Sequence, residues 1–347
     1  MRRWLAAFLG LLLLIVVAAG AGWLYLGQVV RTPGPHASAL RLTVEPGQSL
    51  RQVLGRLEAD GALGHRRAVE LWLRLSRAAP RVKAGTYEIP AGASVLSILD
   101  QLADGRVVLE SLTVVEGSTF ADFRRALAAH PRVRQTLGGA NEAAVMAALG
   151  RPGEHPEGRF FPDTFRFADG TTDLEILGLA YRQMRKELDA AWAARQADLP
   201  IRNDYEALVL ASIVEKETAL ASERPQVAGV YTTRLRRGMR LQSDPTVIYG
   251  IGPAYDGDIR TRDLERDTPY NTYTRAGLPP TPIALPGREA LRAAVRPLET
   301  GAVFFVATGE PDGSHVFSAT YEEHRAAVSR MLSRQRERGL LRGGASR

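Results

Sequence analysis

The 347-residue sequence contains no cysteine. Disulfides, zinc–thiolate sites, iron–sulfur clusters and cysteine nucleophiles are therefore excluded. The same absence suits an oxidising compartment, where no free thiol can mispair. Its histidines include no His-Glu-x-x-His spacing, and no glycine-rich phosphate loop with a lysine is present. Neither a metal nor a nucleotide cofactor is expected. The net charge of +7 is also missing from most of the chain. Residues 1–31 carry three arginines and no acid, and residues 334–347 carry five arginines against Glu337. Residues 32–333 sum to zero. A nucleic-acid partner needs phosphate-neutralising charge that this body does not supply.

What the chain does have begins with an apolar run. Residues 4–26 are 23 positions without a charge. As a helix they span about 34 Å, enough for a hydrocarbon core of ~30 Å. Trp4, Trp23 and Tyr25 stand near its ends, where amphipathic rings favour the interface. Arg2 and Arg3 keep residues 1–3 in the cytoplasm. A cleaved signal peptide would have an apolar core of only ~7–15 residues, so a retained single-pass anchor is the better reading. Everything after residue 32 or so then lies outside the cytoplasm.

Thr32-Pro33-Gly34-Pro35 reads as part of a linker over 27–39. A weak repeat follows. Glu45-Pro46-Gly47-Gln48-Ser49, Pro90-Ala91-Gly92-Ala93-Ser94 and Glu116-Gly117-Ser118-Thr119 each place a glycine two residues before a hydroxyl residue. The glycine supplies a turn, and Ser49, Ser94 and Thr119 cap a following helix. Ser49 with Gln52 forms a capping box. Residues 40–106 read as strand–helix–helix–strand–helix, and the Gly-x-Ser entry resembles a LysM-type peptidoglycan-binding module. The stretch 155–167 carries Phe160, Phe161, Phe165 and Phe167 around Gly and Pro. Core packing is the common use of such a run, and a glycan-facing role is the other. A helix is expected over 172–197.

The strongest chemical signal is the run from Asp204 to Thr218, ending Glu215-Lys216-Glu217-Thr218. On a helical wheel with Ala207 at 0°, Leu210, Ile213 and Val214 fall at about 300°, 240° and 340°. Glu217 falls at about 280°, inside that stripe, while Glu215 falls at about 80°. A carboxylic acid among apolar groups is disfavoured as an anion, so its pKa rises. That is the requirement for a general acid near neutral pH. A frayed helix end with a solvated Glu217 is the bland alternative.

Ala211-Ser212-Ile213-Val214-Glu215-Lys216-Glu217-Thr218, with Ala221-Ser222-Glu223-Arg224, resembles the signature of the YceG-like family of endolytic murein transglycosylases. Two further blocks resemble it too. One runs from Arg234 to Gly250 through Gln242-Ser243-Asp244-Pro245-Thr246. The other is Thr268-Pro269-Tyr270-Asn271-Thr272-Tyr273 with Gly277-Leu278-Pro279-Pro280. The segment from Glu157 to Thr164 also matches. Only the arginine-rich tail does not.

The resemblance implies that Glu217 is the catalytic acid of a lyase. It would cut the β-1,4 bond between N-acetylmuramic acid and N-acetylglucosamine, leaving a 1,6-anhydromuramyl end. It also implies peptidoglycan strands as partner, cell-wall synthases as further partners, and an inner-membrane location with the catalytic part outside. The expected substrate contacts are Glu223, Gln242, Ser243, Asp244, Thr246, Tyr249, Tyr270, Asn271, Thr272 and Tyr273. Asp244 and Glu223 are the candidates for a second carboxylate, and His315 and His324 read as structural. The expected fold is α+β: a transmembrane helix (4–26), a LysM-like module (40–106), a mixed α+β catalytic domain (107–333) and a basic, disordered tail (334–347). Two alternatives stay open: a non-catalytic tethered scaffold, and a lysozyme-type muramidase.

Overall fold

The computed structural model describes residues 2–45 and 47–338. It is a mixed α+β protein that begins with a long apolar helix and divides into two compact units. The first unit is Met1–Glu110 with Arg166–Thr171, and the second is Ser111–Phe165 with Thr172–Arg347.

In the first unit, helix α1 (Arg2–Arg31) carries a segment, Trp4–Arg31, long and apolar enough to cross a membrane. It runs five residues past the expected end at 26. The reason is packing: Val30 is buried in the core of the module that follows. That module is β1 (Leu40–Val44), α2 (Leu50–Ala59), α3 (Arg66–Ser76), β2 (Gly85–Ile89) and α4 (Val95–Asp104), the order expected over 40–106. Strands β1 and β2 pair antiparallel, with Leu42 opposite Tyr87. Both side chains are fully buried with Leu54, Leu57, Ile98 and Leu102. Each such side chain contributes about 1.5–3 kcal/mol of transfer free energy. Ser49 caps α2 in a full capping box with Gln52, and Ser94 caps α4. The turn glycines Gly47 and Gly92 both have positive φ, which a side chain would oppose.

Strand β3 (Leu109–Thr113) pairs with β4 (Thr164–Ala168). In the second unit, Thr119 caps α5 (Phe120–Ala129) with Asp122, repeating the motif a third time. Helix α6 (Glu142–Ala148) follows, and α7 (Asp173–Ala193) begins at its cap Thr172. Phe160, Phe161 and Phe165 are core residues of this unit. Phe160 stacks on Phe120 at 5.0 Å and Phe165 on Phe123 at 5.8 Å, so these rings do not face a glycan.

Helix α8 (Asp204–Glu217) is the centre of the unit. Asn203 caps it by accepting from the Glu206 N–H at 2.9 Å, and Asp204 and Glu206 complement the dipole in its first turn. Residues 207–215 are all buried, packed by α7, α9 (Arg224–Arg236) and α12 (Arg288–Val295). Between α9 and α12 lie α10 (Asp244–Ile251), a 3-10 turn (Gly252–Ala254) and α11 (Thr261–Glu265). The hairpin of β5 (Phe304–Ala307) and β6 (His315–Ser318) leads into α13 (Tyr321–Glu337). Residues 334–337 thus belong to a helix, where a disordered tail was expected. Arg334 donates to the Thr308 carbonyl at 3.0 Å and pairs with Glu310. The remainder of that tail, 339–347, lies outside the described residues, as does Met1.

Candidate active site

Glu217 is the last residue of α8, and Thr218 after it is extended. The helix therefore ends on the carboxylate. Its Oε1 accepts two hydrogen bonds, from the Tyr231 hydroxyl and the Ser243 hydroxyl, each at 2.5 Å. Among the described residues Oε2 accepts none. Tyr231 comes from the middle of α9 and is almost fully buried, edge-on to Phe305. Ser243 stands at the N-terminus of α10, where the Thr272 hydroxyl accepts from its backbone N–H at 3.0 Å.

The turn that delivers Ser243 is strained. Gln242 sits at φ 54°, between the buried Leu241 and Ser243, with its own side chain exposed. A non-glycine residue in that region costs roughly 1–2 kcal/mol, and such costs cluster at functional sites. Thr272 O accepts from the Gln242 N–H at 3.1 Å, and Arg234 donates to Gln242 Oε1 at 3.3 Å, which holds the conformation.

Burial pushes the Glu217 pKa up, the Ser243 and Tyr231 donors pull it back, and the neighbouring Asp244 carboxylate pushes it up again. The net direction is upward. The negative end of the α8 dipole acts in the same sense. Burial and the adjacent Glu217 also raise Tyr231, which keeps it protonated as a donor.

Glu217 opens on a cleft of about 360 Å³. Part of its lining is polar: Gln242, Asp244 and Tyr273, with the Tyr273 hydroxyl donating to Asp244 Oδ1 at 2.5 Å. Another part is aromatic: Phe304, Phe305, Tyr321 and His324. This explains why β5 is only half-buried, although its sequence reads as a core strand. Arg234 also lines the cleft, donating to the Val303 and Leu241 carbonyls at 2.6 Å each.

Of the residues expected to contact substrate, the cleft thus gathers Gln242, Asp244 and Tyr273 beside Glu217. Ser243 touches Glu217 itself. Thr246, Asn271 and Thr272 are buried and hold loops. The Thr246 and Thr272 hydroxyls bond at 2.9 Å, and Asn271 donates to three carbonyls in 263–266. Tyr249 and Tyr270 pack edge-on at 4.9 Å, with their hydroxyls bonded to Glu157 and Thr281. Glu223 is engaged by His315, whose backbone N–H and Nδ1 lie 2.9 and 2.7 Å from its carboxylate oxygens. Tyr231, Arg234, Phe304, Tyr321 and His324 were not singled out for the site by sequence. Tyr231 lies 14 residues beyond Glu217 on another helix, where no local pattern points to it.

Glu215 does not turn away from the core as the wheel predicted. Its carboxylate takes Arg224 at 2.7 Å and the Gly287 N–H at 2.9 Å, in a buried pocket. Lys216 donates to the Gly117 carbonyl at 3.2 Å. The two residues before Glu217 thus pin the helix end. A further acid, Glu157, is 4% exposed and accepts from the Phe120 N–H at 2.9 Å and the Tyr249 hydroxyl at 3.1 Å. Burial pushes its pKa up to about 7.

Comparison with known proteins gives a consistent result. The model of the YceG-like family matches residues 42–330. An endolytic murein transglycosylase of Bacillus subtilis is 27% identical over 340 residues, covering 92% of each chain. One from Streptococcus pneumoniae is 24% identical over 368 residues, covering 94% of this chain and 65% of its own length. The crystal structure of a YceG-like protein from Listeria monocytogenes matches with a TM-score of 0.50 at 26% identity, over 84% of this chain and 99% of that one.

Proposed function

The chain belongs to the YceG-like family, and on that premise we propose that it is an endolytic murein transglycosylase. It cuts peptidoglycan glycan strands between N-acetylmuramic acid and N-acetylglucosamine. The observation that carries this reading is the Glu217 carboxyl: raised in pKa, held through one oxygen by two hydroxyl donors, and lining a cleft.

The chemistry needs one carboxyl group. Glu217, protonated on Oε2, gives its proton to the glycosidic oxygen as the bond to muramyl C1 breaks. Positive charge develops at C1, and the substrate's own acetamido group helps to stabilise it. The resulting carboxylate then takes the proton of the same sugar's C6 hydroxyl, and O6 closes on C1. The proton lost in the first step returns in the second, and no water is consumed. An intramolecular nucleophile replaces the bound water of a hydrolase, with a large gain in effective concentration.

Helix α1 is the membrane anchor in this proposal, with its N-terminus cytoplasmic and the β1–α4 module and the second unit outside the cytoplasm. The β1–α4 module acts as a LysM-like contact for glycan. Acting on nascent strands beside wall synthases, the enzyme ends their elongation.

A second reading has one observation in its favour. Asp244 places an exposed carboxylate on the same cleft, as a two-carboxylate hydrolase requires. Mass spectrometry of digested peptidoglycan separates the two, because an anhydro end lacks one water. The expected products of the full chain are anhydro-ended fragments, and Glu217→Gln abolishes them with the fold intact. Products carrying that water would favour hydrolysis. Binding with no new strand ends would favour a scaffold. Anhydro products surviving in Glu217→Gln would remove Glu217 from the mechanism.

A further inference from the structure

The aromatic wall of the cleft has no part in the acid–base chemistry. Tyr321 stands on the first turn of α13 and is 64% exposed. Beyond α1, no other Phe, Tyr or Trp side chain among the described residues is exposed. Its hydroxyl makes no hydrogen bond among them. The turn that carries it is not loose. Thr320 and Glu323 form a capping box, and Glu323 also accepts from the Ala319 N–H at 2.9 Å.

Behind Tyr321 the wall is built in layers. Phe304 lies 6.1 Å from it, His324 stacks on Phe304 at 5.0 Å, and the Arg234 guanidinium lies 5.4 Å from the Phe304 ring centre. Burial and the Arg234 charge push the His324 pKa down, which favours the neutral imidazole. The same cleft is lined by the hydrogen-bonding groups of Gln242, Asp244 and Tyr273.

A pyranose ring has the complementary construction. One face is lined with C–H groups, and its edges carry hydroxyl and acetamido groups. An aromatic ring meets the first and polar side chains meet the second. We infer that Tyr321, backed by Phe304 and His324, is a stacking subsite for an amino-sugar ring of the strand that Glu217 cuts. The inference rests on the glycan reading above and adds a substrate contact to it.

The test uses the full chain in detergent with Glu217→Gln, so that the probe is not consumed. The probe is a tetrasaccharide of alternating N-acetylglucosamine and N-acetylmuramic acid, with binding read by calorimetry. Adding Tyr321→Ala is expected to weaken binding about three- to tenfold, the range of aromatic contacts. Tyr321→Phe keeps the ring and is expected to bind within about twofold of its parent. In the active chain, Tyr321→Ala should raise KM more than it lowers kcat. Unchanged affinity in Tyr321→Ala overturns the subsite, and so does an equal loss in Tyr321→Phe, which would assign the hydroxyl rather than the ring. If the Glu217→Gln chain binds no tetrasaccharide, the glycan reading fails, and the subsite with it.

Discussion

Replacing Glu157 by glutamine should flatten the pH dependence of the second unit's stability. The acid lies between the start of α5 and Tyr249 of α10, 4% exposed. Its pKa is about 7 in the fold against 4.5 for a free side chain. The folded chain therefore binds this proton more tightly than the unfolded chain. Below pH 4.5 both states are protonated and the contribution is fully present. As pH rises from 4.5, the unfolded chain ionises first and stability falls, until the folded group ionises too, near pH 7. The gap corresponds to about 3 kcal/mol. Glutamine keeps the shape and the contacts. Its amide oxygen accepts from the Phe120 N–H, and its amide N–H donates to the Tyr249 oxygen. Urea unfolding of the full chain at pH 4.5 and pH 8, followed by hydrogen exchange in α5 and α10, reads the difference. The native chain should lose about 3 kcal/mol more than Glu157→Gln across that interval. Parallel losses in the two chains would refute the reasoning.

Two other outcomes can be checked directly. Ser243→Ala removes a donor that favours the Glu217 anion, so the alkaline limb of the kcat/KM profile for anhydro product should move to higher pH. An unmoved limb would show that the hydroxyl does not act through Glu217. Gly229→Ala places a Cβ 2.1 Å from the Leu298 carbonyl oxygen, a backbone atom that cannot swing aside. It should cost about 2 kcal/mol, or roughly 4–8 °C in Tm, and a calorimetric scan that matches the parent would contradict the close packing.

Local features of the fold were legible and long-range ones were not. Ser49, Ser94 and Thr119 act within three residues of themselves, so their caps could be read directly. The long apolar helix was equally plain, but its continuation to Arg31 depends on Val30 meeting a core assembled from residues up to 102. The α8 wheel placed Glu217 on the apolar stripe and failed for Glu215. A helix buried from 207 to 215 has no single apolar face, and Glu215 is taken inside by Arg224 and the Gly287 N–H. The polar residues of the third block read as substrate contacts because hydrogen-bonding side chains look alike in sequence. Asn271 and Thr272 prove to bond loop to loop. Nothing in the order of residues reveals that Tyr231 and Ser243 meet on one oxygen.

That shared oxygen has a consequence for timing. A glutamate side chain ordinarily has three rotatable bonds, and arresting them has an entropic cost of order 1–2 kcal/mol. At Glu217 the backbone is fixed by α8, and the carboxyl is clamped by two hydroxyls that are themselves buried. Its motion is arrested when the chain folds, once in the lifetime of the molecule. In the proposed mechanism, each arriving strand then meets an acid with nothing left to freeze.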